Sequence, residues 1–158
     1  MPRLNRSCTF ASRSRNAPSS GSKTMPFNLD FDLLYNYPGD ATGITIPVKL
    51  QHGNLSIPTT AKVDPGSEVC LFSNEIAYAL DIEVENGLPI LLDSLGGQLE
   101  AFGHEVVIRT FDYSFPSFAY FAKEPGLRRN LLGRVGWLRQ FKIGLVDYDS
   151  VIYLCAYN

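Results

Sequence analysis

The sequence predicts an all-β domain, and three observations carry that expectation. From Phe27 onward, short apolar runs are broken at close intervals by Gly, Pro, Asn and Asp, the punctuation of strands and turns rather than of long helices. His52-Gly53-Asn54 falls between two segments of alternating character and reads as a hairpin, as does Gly96-Gly97 between Leu95 and Gln98. The chain has 158 residues and is 45% hydrophobic, which supplies one domain with a core and excludes disorder throughout.

Taken in order, the apolar runs place strands at residues 31–37, 44–51, 55–62, 68–72, 88–95, 98–111, 115–123, 142–147 and 151–155. Two helices interrupt this plan. Ser73 stands where it can cap a short helix running to Leu80, with Ile76, Ala77 and Leu80 on one face, and residues 134–141 have room for a second. No internal repeat of usable length is present. The triplets Asp64-Pro65-Gly66 and Glu124-Pro125-Gly126 echo each other only faintly.

The formal net charge of −2 hides a split. Residues 1–24 carry Arg3, Arg6, Arg13, Arg15 and Lys23 and no acid, which leaves 9 basic against 16 acidic side chains in residues 25–158. The first segment is rich in Ser, Asn and Arg and lacks an apolar run of the secretory kind, so it reads as a disordered leader. It is either an Arg-rich targeting peptide or the product of a start codon upstream of a true beginning at Met25. The domain then occupies residues 25–158. Five positive charges on a tail do not make a nucleic-acid site, and none of the apolar stretches approaches the roughly 18 residues needed to span a bilayer. Cys8, Cys70 and Cys155 are an odd number at wide spacings, with only His52 and His104 to help hold a metal. Free, structural cysteines are expected, with no disulfide framework, no metal and no cofactor. That pattern suits a reducing, cytoplasmic compartment.

The candidate chemistry begins at Asp64-Pro65-Gly66, which directly follows one apolar strand and precedes another. Alone, the triplet is an ordinary type II turn, with Pro at the second position, Gly at the third and Asp accepting a backbone hydrogen bond. Its surroundings point further. The stretch Ala61-Lys62-Val63-Asp64-Pro65-Gly66-Ser67-Glu68-Val69-Cys70-Leu71-Phe72-Ser73, with a helix ending Ala79-Leu80-Asp81-Ile82, resembles the active-site segment of retropepsin-like aspartic proteases. There the pattern is apolar-apolar-Asp-Thr/Ser-Gly-Ala/Ser, a strand and a short helix. Asn130-Leu131-Leu132-Gly133-Arg134, with Gly133 sixty-nine positions after Asp64, resembles the family's second signature, an apolar-apolar-Gly-Arg turn followed by closing strands.

The resemblance covers about residues 44–155 and implies a closed, acid-protease-type β-barrel with one or two short helices. It implies a single lobe with one Asp-x-Gly per chain, so that two chains must pair as a homodimer to bring two carboxylates together. Asp64 would then be the catalytic acid, Pro65, Gly66 and Ser67 its loop, and Leu131, Leu132, Gly133 and Arg134 the second motif. Leu95, Gly96, Gly97 and Gln98 lie where a glycine-tipped flap closes over a peptide or protein substrate. The expected partners are that substrate and a second copy of the chain, with no nucleic acid and no membrane.

Two positions depart from the family pattern. Thr or Ser stands where this chain has Pro65, and its hydroxyl and N–H cross-link the two active-site loops; proline supplies neither. Lys62 stands where an apolar residue is usual. An active endopeptidase and a catalytically silent relative that binds peptides or scaffolds a dimer are therefore both open.

Other candidates are weaker. Cys70 and His104 offer a thiol nucleophile pair on paper, but Cys70 lies in an apolar run and is expected to be a small buried hydrophobe. Asp147-Tyr148-Asp149 reads as a solvated, inert hairpin tip. Arg128, Arg129, Arg134, Arg139 and Lys142 read as the wet face of a helix, with Arg134 in a structural pairing role implied by the resemblance.

Overall fold

Alternation along the chain builds the strands that the computed structural model shows; it describes residues 28–39, 43–94 and 97–157. The expectations for residues 1–24, for Met25 and for Leu95 and Gly96 fall outside the described residues. In chain order the elements are β1 (Leu33–Asn36), β2 (Thr45–His52), β3 (Leu55–Val63), β4 (Leu71–Phe72), α1 (Asn74–Ala79), β5 (Leu88–Ser94), β6 (Gly97–Thr110), β7 (Tyr113–Ala122), β8 (Leu131–Leu132), β9 (Phe141–Val146) and β10 (Val151–Ala156). The fold is all-β, as the sequence predicts.

In β2, Ile46, Val48 and Leu50 point into the core while Pro47 and Lys49 face out, the period of two that a half-buried strand requires. His52 pairs with Leu55, so the β2–β3 turn is Gly53-Asn54, with Gly53 at a positive φ of 55°.

Two sheets result. A three-stranded sheet has the order β1-β10-β9, and a seven-stranded sheet the order β2-β3-β8-β4-β7-β6-β5. The larger sheet curls until β2 also pairs with β6 at Lys49↔Arg109, Leu50↔Ile108 and Gln51↔Val107. Its wall thins at β8 and β4, two residues each and joined by the single pair Leu71↔Leu131. The enclosure is thus short of the regular closed barrel expected. Ile46, Leu50, Phe72, Leu80, Ile108 and Phe121 fill it, around a fully buried Trp137. The indole N–H of Trp137 donates to Thr110 Oγ1 at 3.0 Å, which satisfies two polar groups that burial would otherwise penalise.

Several local expectations are corrected. Strand β8 was not expected, and it inserts between β3 and β4, parallel to the first and antiparallel to the second. The helix expected over residues 134–141 is a single 3-10 turn, Leu138–Gln140. Gly136 interrupts it with a φ of 102°, and its carbonyl accepts from Ser117 Oγ at 2.9 Å instead of serving a helix. Ser73 does precede α1, but its side chain makes no cap bond to the helix backbone. Its N–H donates to Asn130 Oδ1 at 3.1 Å, which ties the start of α1 to the segment entering β8. Strand β4 is shorter than expected, although Val69 still bridges to Val135. No helix among the described residues is long and apolar enough to cross a membrane.

Among the described residues the only free cysteine is Cys70. Cys155 is disulfide-bonded, so the expectation of uniformly free cysteines fails there.

Candidate active site

Asp64 emerges at the end of β3, where alternation sends Ala61 and Val63 into the core and leaves Lys62 and Asp64 on the opposite face. Its backbone N–H donates to Leu132 O at 3.0 Å, so β8 continues the parallel ladder up to the carboxylate-bearing residue. The turn then closes on itself. Ser67 N–H donates to Asp64 O at 3.1 Å and Gly66 N–H donates to Asp64 Oδ1 at 3.0 Å. Gly66 does not take a positive φ, so the turn is not type II; the Asp side chain capping its own loop governs the geometry. Pro65 occupies the exposed second position of this turn, and Ser67 Oγ turns inward to donate to Val69 O at 2.8 Å.

The second motif is the underside of this loop. Arg134 N–H donates to Ser67 O at 2.9 Å and Val135 N–H to Glu68 O at 2.8 Å. Between them Gly133 is buried so tightly that a Cβ would lie 2.1 Å from Val69 O and 2.9 Å from Ser67 O. Only glycine fits. Leu132 is fully buried, Leu131 is half-buried and Arg134 is exposed; no ion pair to Arg134 occurs among the described residues. The structure therefore brings together Asp64, Pro65, Gly66 and Ser67 with Leu131, Leu132 and Gly133, although sixty-odd residues separate the two motifs.

Of the expected flap residues, Gly97 and Gln98 are described and lie elsewhere on the sheet, in β6. In the β5–β6 hairpin, Asp93 pairs with Gln98 and Ser94 with Gly97, and Gln98 Nε2 donates to Asp93 Oδ1 at 3.3 Å. Gly97 thus begins β6, paired with Ser94. Leu88 and Leu91 of β5 are exposed.

A cavity of about 480 Å3 is lined by Lys62, two positions before Asp64, but not by Asp64 itself. Its lining includes Ile46, Pro47, Thr60, Lys62, Leu127 and Asn130, together with Arg128 and Arg129. The arginines lie on the extended segment leading into β8, which corrects their reading as the face of a helix. Sequence reasoning met Lys62 only as a departure from a pattern and did not connect it with them.

The remaining candidates resolve on simple grounds. Burial pushes the Cys70 thiol from its ordinary 9.0 up to about 12, partly offset by the Gly133 backbone. His104 is occupied with Val84 O at 2.9 Å and packs against the Phe121 ring. No thiol–imidazole pair forms. Asp147 is not inert: it accepts a hydrogen bond from Tyr37, and that bond, ahead of burial and the carboxylate's charge, pushes the phenol up to about 12. No group of three or more His, Cys, Asp or Glu that could hold a metal occurs among the described residues.

An all-β lobe with one carboxylate on a turn, buttressed by a strand threaded between the two strands that flank that turn, defines the acid-protease class of architecture. The chain has the retropepsin-like fold. The crystal structure of a retropepsin-like aspartic protease from Rickettsia conorii matches it with a TM-score of 0.58 and 18% identity, over 77% of this chain and 97% of that one. The EIAV protease complexed with the inhibitor HBY-793 matches at 18% identity with a TM-score of 0.46, over 60% of this chain and 84% of that one. No protein-family model and no curated protein sequence matches the chain.

Proposed function

We propose that the protein is a retropepsin-like aspartic endopeptidase that hydrolyses peptide bonds with Asp64 from each of two chains of a homodimer. The observation that carries this reading is the Asp64 turn, held at the end of β3 and locked from beneath by the Gly133 turn, in a fold shared with a retropepsin-like aspartic protease. The chain has one Asp-x-Gly, so the second carboxylate must come from a second copy. Two carboxylates a few ångströms apart cannot both ionise and hold a single proton between them. The ionised one takes a proton from a water that attacks the amide carbonyl, and the protonated one donates to the leaving nitrogen. No covalent intermediate, metal or cofactor enters this scheme. The β5–β6 hairpin, ending near Gly97 and Gln98, is the element suited to close over the peptide.

Pro65 favours a second reading, a catalytically inactive domain that binds peptides or scaffolds a dimer. Proline has no N–H and no hydroxyl to bridge the two loops, and a loosely held pair loses the positioning that acid–base catalysis requires.

The deciding experiment is peptide cleavage between pH 3 and 7, roughly the range of a shared-proton carboxylate pair, by wild type and Asp64→Asn. Cleavage that disappears in Asp64→Asn, while the melting temperature holds or rises as like-charge repulsion is relieved, supports the endopeptidase. Undiminished cleavage by Asp64→Asn sinks the aspartic mechanism, and no cleavage by the wild type at any of these pH values favours the inactive reading.

A further inference from the structure

The cavity that Lys62 lines carries three basic side chains in a domain that is otherwise acidic. Residues 25–158 hold 16 acidic against 9 basic side chains, yet Lys62, Arg128 and Arg129 meet at one opening, and no Asp or Glu among the described residues lines it. The β3–β8 register brings them there: Lys62 pairs with Leu131 and its N–H donates to Asn130 O at 2.8 Å, and the two arginines directly precede Asn130 in the chain. The ion pairs among the described residues join Lys123 to Glu85 and Glu100, so neither Lys62 nor Arg128 is neutralised by one of them. Arg129, itself engaged in an interaction, adds a third positive charge.

We propose that this cavity binds an acidic side chain of a peptide, its carboxylate held by Lys62 and Arg128. The proposal rests on the endopeptidase reading for the cavity's place in a substrate path, and names the substrate class that reading leaves open. Lys62 and Asp64 are two positions apart on one face of an extended chain, so their Cα atoms are separated by roughly 7 Å, the spacing of alternate side chains on one face of an extended peptide. The volume lies within the roughly 300–1,000 Å3 of ordinary ligand pockets. Ile46, Pro47 and Leu127 supply apolar wall for the methylenes of a glutamate, and low-dielectric walls around a cationic opening concentrate its field. The Lys62 stem lies along Gly43, where an added Cβ would come within 2.9 Å of Lys62 Cε. Arg128 can meet a carboxylate with its planar fork while Lys62 acts as a point charge. A nucleic acid would need an extended basic stripe, which a concave site of this size does not provide.

The test uses the full chain carrying Asp64→Asn, so that binding is read without cleavage. Neutral, dye-labelled octapeptides carry one glutamate at each position in turn, with glutamine at the same position as control, and binding is followed by fluorescence anisotropy. At one position the glutamate peptide should bind roughly tenfold more tightly than its control, by the strength of charge-assisted hydrogen bonds. That preference should shrink as salt is raised, vanish in Lys62→Gln/Arg128→Gln, and turn towards lysine peptides in Lys62→Glu. Equal binding of glutamate and glutamine peptides at every position overturns the proposal, as does a glutamate preference that survives Lys62→Gln/Arg128→Gln. Displacement of the glutamate peptide by a single-stranded oligonucleotide of higher affinity would also overturn it. The endopeptidase reading fails separately: a glutamate preference in a wild type that cleaves nothing leaves the pocket standing and removes only the chemistry.

Discussion

Gly133→Ala tests whether the second motif supports the first through backbone contact. The added methyl would lie 2.1 Å from Val69 O, 2.4 Å from Val69 C and 2.9 Å from Ser67 O, all backbone atoms with no rotamer into which they can retreat. The two segments must separate. Overpacking of a tight site costs about 1–3 kcal/mol, and separation also weakens the hydrogen bonds Arg134 N–H to Ser67 O and Val135 N–H to Glu68 O, at about 1 kcal/mol each. The expected loss is about 3–5 kcal/mol, a large part of the roughly 5–15 kcal/mol that holds a domain folded. In thermal melts followed by circular dichroism, at roughly 3–4 °C per kcal/mol for a domain of this size, the midpoint should fall by about 10–20 °C. Gly53→Ala is the control: its φ of 55° disfavours alanine, but nothing lies within 4 Å of the added atom, so its cost should stay near ~1 kcal/mol. A Gly133→Ala melt no lower than that of Gly53→Ala would refute the steric argument and the coupling of the two motifs.

Further expectations follow from the same geometry. Cys70 should resist iodoacetamide at pH 8 in the folded protein and react on unfolding, because burial holds its thiol protonated up to about 12; rapid native labelling would contradict that. Since the folded value lies above the ordinary 9.0, the thiol's contribution to stability is complete below pH 9 and is lost as pH rises towards 12, at about 1.4 kcal/mol per pH unit. This alkaline slope should be shallower in Cys70→Ala. The proposed homodimer should appear in light scattering at tens of micromolar, and a clean monomer there would remove the simplest source of a second carboxylate.

The element types were largely legible because they depend on local pattern. Ile46, Val48 and Leu50 alternate with polar or exposed neighbours, so β2 declares itself, and the Ile76, Ala77 and Leu80 face of α1 follows from helical spacing. Strand β8 was not legible. Two residues carry no periodicity, and Leu131-Leu132 is a strand only because β3 and β4 leave a gap between them. The lost helix after Gly133 had a local sign in Gly136, whose positive φ ends helical geometry. The Asp64 turn was visible as a motif, but its class was mistaken, since Gly66 serves as a donor to the Asp64 carboxylate and not as a positive-φ residue. The cationic cavity could not have been read at all, because Lys62 and Arg128 become neighbours only through the β3–β8 register. Strand β10 has β1 and β9 on its two edges. A dimer that uses this sheet must engage β1 or β9, where Leu34, Leu145 and Val146 are exposed.

Pro65 can be assigned a narrower effect than its place in the motif suggests. The hydrogen bonds that shape the turn come from Gly66 N–H and Ser67 N–H, and its outer support comes from Arg134 and Val135; none of them needs a donor at position 65. Pro65 is exposed at the second position of a turn, where a fixed φ near −65° suits a prolyl ring. The single chain therefore loses nothing by carrying proline, and what proline removes are bonds to a second loop. It follows that Pro65→Thr should leave the stability of the isolated chain within about 0.5–1 kcal/mol of wild type, with any loss coming from the freer unfolded state. Under the endopeptidase reading the same substitution restores up to two hydrogen bonds per subunit at about 1 kcal/mol each, so the dimer should tighten and cleavage should rise. Sedimentation equilibrium and peptide turnover on one preparation separate the two effects. A dimer that weakens in Pro65→Thr would show that the loops do not meet through this position, even if the fold assignment and Asp64 are both right.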